Sequence, residues 1–157
     1  MAASSQLLEA LSKVVVVAGE VSPDDPDASA KLERAFPAGG REMTELRALL
    51  RSEIEARTIA ERENDGVRFS RIKKAATETE MSIDVVHMSK AALGHTHPNG
   101  EIDLCFAVSG DPRFDGKPEG WQVFPTGSWH VPTVSGGAMD ILYFLPGGAI
   151  RFEPKPA

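Results

Sequence analysis

Three of the four histidines in this chain fall into two short stretches whose residue types and spacing suit a metal ion. The first is Gly94-His95-Thr96-His97-Pro98-Asn99-Gly100-Glu101. On an extended segment side chains alternate between two faces, so His95 and His97 point the same way. Pro98-Asn99-Gly100 reads as a turn that reverses the chain and returns Glu101 to the two imidazoles. Two imidazoles and a carboxylate suit one divalent transition ion (Fe, Mn, Ni, Co, Cu or Zn), and the donor set does not choose among them. The second stretch is Pro125-Thr126-Gly127-Ser128-Trp129-His130, a turn leading into a strand that carries a third imidazole. Folded together, the two give a site of His95, His97, Glu101 and His130, with positions open for water or substrate. Taken alone, an HxH pair more often marks a solvated loop or hydrogen-bonded core residues. The combination inside a strand-rich region is what specifies a metal.

Such a site needs elements to hold it. Over residues 1–66 apolar residues recur at helical spacing: Leu7, Leu8, Leu11 and Val14/Val15, then Leu32, Ala35 and Phe36, then Met43, Leu46, Leu49, Leu50 and Ile54. Glu53 and Arg57 are spaced as a helical i, i+4 pair. Asn64-Asp65-Gly66 is expected to stop the longest helix. Over residues 67–157 the period becomes two. Val67 and Phe69 open a strand, and Met81, Ile83 and Val85 alternate with polar residues, as do Ile102, Leu104, Phe106 and Val108. Shorter strands are expected at Trp121–Phe124, Trp129–Thr133, Met139–Leu145 and Ala149–Phe152, with turns at Gly110 to Gly120 and Ser135-Gly136-Gly137. The predicted fold is mainly β, a barrel or sandwich with the helical N-terminal segment packed on it as one structural unit.

Alternation also sorts the neighbours of the site. If Glu101 faces the interior, so do Asp103, Cys105 and Ala107, while Ile102, Leu104 and Phe106 pack on the opposite side. Glu101, Asp103 and Tyr143 are the candidate catalytic groups. Asp103 is an acid/base or a structural carboxylate, and Tyr143 either hydrogen-bonds a substrate or is a core aromatic. Cys105 reads as a small buried hydrophobe, His87 as structural, and Trp121 and Trp129 as packing residues or pocket walls.

Composition narrows the remaining classes. The 157 residues are 41% hydrophobic and carry a net charge of −6, which disfavours nucleic acid and anionic membranes as partners. The single cysteine excludes an internal disulfide. Met1 to Gln6 lacks a basic leader, and the apolar run Val14 to Ala18 is far shorter than a bilayer span, so a cytoplasmic location is expected.

The motifs resemble those of the cupin superfamily, an HxH(x)3–4E piece followed by a PxGxxH piece. The resemblance implies metal ligands at His95, His97, Glu101 and His130, and a double-stranded antiparallel β-barrel of the jelly-roll type. It also implies pairing of two copies as a homodimer. Ser89 stands where the first motif usually opens on glycine, Gly110 closes it two places late, Gly120 lies one residue too near Pro125, and Val134 replaces an asparagine. None of these removes a ligand. Along its whole length the chain is similar to the bacterial 4-hydroxylaminobenzoate lyase family, through the helical preface, Gly94–Phe106 and Pro125–Thr133. That likeness implies a small aromatic substrate, 4-hydroxylaminobenzoate, converted with water to 3,4-dihydroxybenzoate and ammonia. A cation such as Arg68, Arg71, Arg113 or Arg151 could then hold the substrate carboxylate, the sequence choosing none of the four, and each by itself reads as a solvated surface charge. A cupin dioxygenase acting on an aromatic or a thiol, or a non-catalytic ligand-binding or sensor protein, fits the same motifs.

Overall fold

The computed structural model describes residues 2–157. Three helices come first: α1 (Ser5–Gly19), α2 (Ala28–Ala35) and α3 (Arg41–Glu55). Ser4 caps α1, its hydroxyl accepting from the Leu7 amide at 3.1 Å. Each long helix buries one stripe, Leu7, Leu11, Val14 and Ala18 on α1, and Met43, Leu46, Leu50 and Ile54 on α3.

The end of α3 differs from the sequence expectation. The helix stops at Glu55 because Arg57 takes a left-handed conformation (φ 60°). The Arg57 amide then donates to Ile54 O, and the Thr58 amide to Glu53 O, the double bond pattern of a Schellman stop. Arg57 therefore leaves the helix and makes no i, i+4 pair with Glu53. The Glu53 carboxylate instead accepts from the Ser4 amide, joining α3 to the start of α1. Asn64-Asp65-Gly66 does not end a helix either. It turns a hairpin between β1 (Arg62–Asn64) and β2 (Val67–Lys73), with φ of 50° at Asp65 and 82° at Gly66, which Asp-Gly accommodates with little strain.

The remaining strands are β3 (Met81–Met88), β4 (His95–Thr96), β5 (Glu101–Phe114), β6 (Gly120–Phe124), β7 (Trp129–His130), β8 (Val134–Pro146) and β9 (Arg151–Phe152). They form a six-stranded antiparallel sheet, β1-β2-β3-β8-β5-β6, and a three-stranded sheet, β7-β4-β9. The fold is mainly β, as expected. It is compatible with a jelly roll, although the strands make two sheets and not one closed barrel. Two segments read as turns are strand. Ser135-Gly136-Gly137 belongs to β8, and β5 continues through Gly110 to Phe114. The two glycine-rich stretches pair across irregular registers, and a Cβ at Gly137 would lie 1.9 Å from Ser109 O, so glycine is required for the strands to approach.

The large sheet has two differently used faces. Ile83, Val85, Ile102, Leu104, Phe106, Leu142 and Phe144 pack with the helices in one apolar core. The alternate residues Val86, Met88, Cys105, Met139, Ile141, Tyr143 and Leu145 form a second core on the inner face. The loop before α2 also reaches the inner side. The Asp24 carboxylate accepts from the Thr126 amide at 2.9 Å and from its hydroxyl at 2.8 Å, tying the helical preface to the Pro125–Ser128 turn. Among the described residues no helix is long and apolar enough to cross a membrane.

Candidate metal centre

The small sheet aligns two of the imidazoles directly. His95 on β4 and His130 on β7 are register partners. His97 lies just beyond β4, its amide donating to Ser128 O at 2.8 Å while its carbonyl accepts from Gly127 and Gly100. The Pro98–Gly100 turn then delivers Glu101 as the first residue of β5, on the large sheet. The site is thus stitched between the sheets.

The donor atoms converge. His97 Nε2 lies 3.2 Å from one Glu101 oxygen, His95 Nε2 3.7 Å from the other, and His130 Nε2 4.0 Å from the carboxylate. His95 Nε2 and His130 Nε2 are 3.2 Å apart, and one donor atom from each of the four residues falls within 4.8 Å of the rest. The four pairwise separations of 3.2 to 4.0 Å are below about 4.2 Å, twice a typical metal–nitrogen bond, so they suit donors around one ion.

The hydrogen bonds behind the rings fix which nitrogen faces inward. The Ser128 hydroxyl donates to Pro125 O at 2.6 Å, so it accepts from His97 Nδ1 at 2.9 Å. His130 Nδ1 donates to Asp115 Oδ2 at 2.6 Å, and the other Asp115 oxygen accepts from the Thr133 amide. His95 Nδ1 faces Leu93 O at 3.3 Å. With each Nδ1 carrying the hydrogen, each Nε2 presents a lone pair. Lone pairs of His95 and His130 pointed at one another at 3.2 Å, with His97 Nε2 and both Glu101 oxygens buried and lacking hydrogen-bond partners, call for a cation between them. The residues present fit the ion that the sequence pattern implies.

Electrostatics separate the two buried carboxyls. Burial pushes Glu101 up, but positive charge at the cluster, on a protonated ring or on the ion the rings would hold, outweighs it and keeps its pKa below the ordinary carboxylate value. Asp103 is pushed well above the carboxylate range, by burial first and then by the negative charge of Glu101. The two carboxyls are thus shifted in opposite directions. Burial also raises the Cys105 thiol well above its ordinary value, so it stays a thiol and, as expected, a packing residue. Tyr143 pairs in register with Asp103, and burial raises its phenol too, keeping the hydroxyl protonated.

A cavity of about 450 Å³ opens beside the cluster, within the usual range for small-molecule sites. His95 and Tyr143 line it, with Phe69, Val86, Leu93, Ile150 and Phe152 among its apolar walls. The other residues singled out from the sequence lie elsewhere. His87 bonds Asp140 at 2.7 Å on the helix side of the large sheet. Trp121 donates to Phe36 O and Trp129 to Glu153 O. Of the four arginines expected at a carboxylate, Arg68 is spent on Ile54 O and Ala60 O, and Arg151 pairs with Glu153. Arg113 points toward Asp111, and Arg71 lines the cavity but is clamped by Asp84. Three contributors escape the sequence reading: Asp115 and Ser128 behind the rings, and Arg62 in the cavity wall. Only Ser128 carried a local signal, as part of the second motif. Asp115 reads as an ordinary turn residue fifteen positions before the ring it holds.

Comparison with known proteins agrees with the motif reading. The family described as PnbB, 4-hydroxylaminobenzoate lyase, matches residues 11–152. A 4-hydroxylaminobenzoate lyase of Nocardioides sp. (strain LMS-CY) is 27% identical over 136 residues, covering 80% of each chain. One from Pseudomonas putida is 32% identical over 63 residues, covering 38% of this chain and 36% of its own. Among solved structures, the DMSP lyase DddQ of Ruegeria pomeroyi DSS-3 aligns over 97% of this chain and 92% of its own, at 16% identity and TM-score 0.44. An RmlC-like cupin protein of Ralstonia eutropha JMP134 aligns over 59% and 62%, at 12% identity and TM-score 0.43.

Proposed function

The chain belongs to the 4-hydroxylaminobenzoate lyase family, and from that premise we propose that it converts 4-hydroxylaminobenzoate and water to 3,4-dihydroxybenzoate and ammonia. The observation that carries the reading is a group of four donor atoms, partnered by little but one another, at the end of an apolar cavity. A divalent transition ion held by His95, His97, Glu101 and His130 would supply Lewis acidity toward a substrate oxygen.

The reaction balances without an external oxidant. The N–O bond breaks, the neighbouring ring carbon gains an oxygen from water, and hydrolysis of the resulting imine exchanges C–N for C–O as ammonia leaves. One water is consumed net. The departing oxygen needs a proton in a site shielded from bulk solvent. Asp103, buried two residues from Glu101 on the same face of β5, is the candidate donor of that proton, and the two carboxyls form the acid–base pair of this reading. Tyr143, protonated and on the cavity wall, donates a hydrogen bond to the bound substrate. Phe69, Val86 and Ile150 hold the ring and exclude water.

The test combines elemental analysis with turnover in the presence and absence of oxygen. Bound transition metal, and equal yields of 3,4-dihydroxybenzoate and ammonia under both atmospheres, are expected. His97→Ala should strip the metal and abolish product. Turnover that stops without oxygen points to a dioxygenase, binding without turnover to a ligand-binding protein, and protein that stays metal-free after reconstitution sinks the centre itself.

A further inference from the structure

We propose that Arg62 forms an arylcarboxylate subsite at the end of the cavity remote from the histidine cluster. The identity of the natural ligand rests on the lyase reading, whereas the subsite itself rests on placement.

Register defines that placement. Arg62 pairs with Phe69, Phe69 with Val86, and Val86 with Ile141, so these side chains form one row across the inner face of the large sheet. The adjacent row runs Arg71, Asp84, Tyr143, Asp103. Strand β1, which carries Arg62, lies three strand steps from β8, which carries Tyr143, or about 14 Å at the usual interstrand spacing. A guanidinium reaching back along its row leaves a gap of the order of one para-substituted benzene ring, floored by Phe69 and Val86. A ligand reacting at one ring position beside His95 and Tyr143 thus presents its para substituent toward Arg62.

Charge selects Arg62 over Arg71, the other guanidinium on the cavity. Arg71 donates to both Asp84 oxygens, at 2.7 and 3.1 Å, and a ligand carboxylate would have to displace that internal partner. Among the described residues the Arg62 guanidinium has no ion pair, and nearby Asp65 is taken by Lys90 at 3.1 Å. A planar fork with free donors at the end of an apolar slot suits a carboxylate on an aromatic ring.

The experiment titrates benzoate and its uncharged isostere benzamide, by calorimetry, into the purified full-length wild-type protein and the Arg62→Gln, Arg62→Lys and Arg71→Gln variants. Because Arg62 is solvent-exposed, the preference for benzoate should sit near the low end for charge-assisted bonds, about tenfold. Arg62→Gln should erase that preference while leaving benzamide affinity in place, and Arg62→Lys should restore part of it. With 4-hydroxylaminobenzoate, Arg62→Gln should raise KM more than it lowers kcat. A preference that persists in Arg62→Gln overturns the proposal, since the carboxylate then sits elsewhere, and its loss in Arg71→Gln would place it at Arg71. Arg62-dependent benzoate binding in a protein that leaves 4-hydroxylaminobenzoate unchanged sinks the lyase reading and upholds the subsite.

Discussion

The two faces of the six-stranded sheet are built from the same strands and do opposite jobs. On β5, Ile102, Leu104 and Phe106 are buried against the helices, while Glu101, Asp103 and Cys105 are as deeply buried on the other side. On the helix face the buried carboxylate is partnered: Asp140, nearly inaccessible, is held by His87 and approached by Arg51 at 3.4 Å, while Arg51 Nε is the buried atom left without a hydrogen-bond partner on that side. The inner face leaves both oxygens of Glu101 and of Asp103 without hydrogen-bond partners. Each such buried group costs about 1–3 kcal/mol. The side-chain period of two lets one strand stabilise the fold through one face and keep chemically useful, poorly satisfied groups on the other.

If the division is real, damage to one face should spare the other. The largest effect is expected for Leu50→Ala, which empties a fully buried position between α3 and the sheet and should cost about 2–5 kcal/mol in urea unfolding. Metal content per folded molecule should not change, and a parallel loss of metal would show that the faces are coupled. Asp115→Asn is the converse. Asparagine tolerates the positive φ of 49° at this turn but removes the charge behind His130. Metal affinity by chelator competition should fall about tenfold, the low end for an outer partner of a ligand, with unfolding of the metal-free protein little altered.

The smallest effect concerns the edge that joins the helix side to β5. The Glu119 carboxylate accepts from the Ala107 amide and from Arg47, whose guanidinium lies over the Phe106 ring. Burial nudges this carboxyl up, but those two donors outweigh it and leave its pKa below the ordinary value. A lowered folded-state pKa stabilises above the usual carboxylate range and loses that contribution as pH falls through it. Glu119→Gln should therefore cost at most about 1 kcal/mol at neutral pH, given its exposure. The gap between the variant's urea midpoint and that of wild type should close in acid. A gap that widens in acid would reverse the sign assigned to Glu119.

The sequence was most legible where the physics is local. Leu7, Leu11 and Val14, and Met43, Leu46 and Leu50, announced helix faces that the structure buries as expected. The alternation from Glu101 to Phe106 placed Asp103 and Cys105 on the site side correctly. Errors arose where a local signal had two meanings. Asp65-Gly66 is equally a helix stop and a hairpin turn, and the left-handed Arg57 ended α3 first. Gly136-Gly137 reads as a turn, yet it lies inside a strand because Gly110 meets it from β5.

Residue type and spacing by themselves named all four donors, and a two-residue period and one turn bring three of them, His95, His97 and Glu101, together. They also determined that a large part of each strand would be apolar on one side. Tertiary structure alone decided the rest. His130, named by its motif, meets the other three because β7 pairs with β4, and its tautomer is set by Asp115 across a turn. Arg62 enters the cavity only because β1 extends the large sheet beyond β2, and Arg71 is withdrawn from a ligand by Asp84 on the adjacent strand. Periodicity acts over a few residues along the chain, whereas charge pairing and hydrogen bonding act across gaps of a few ångströms that only the folded chain creates.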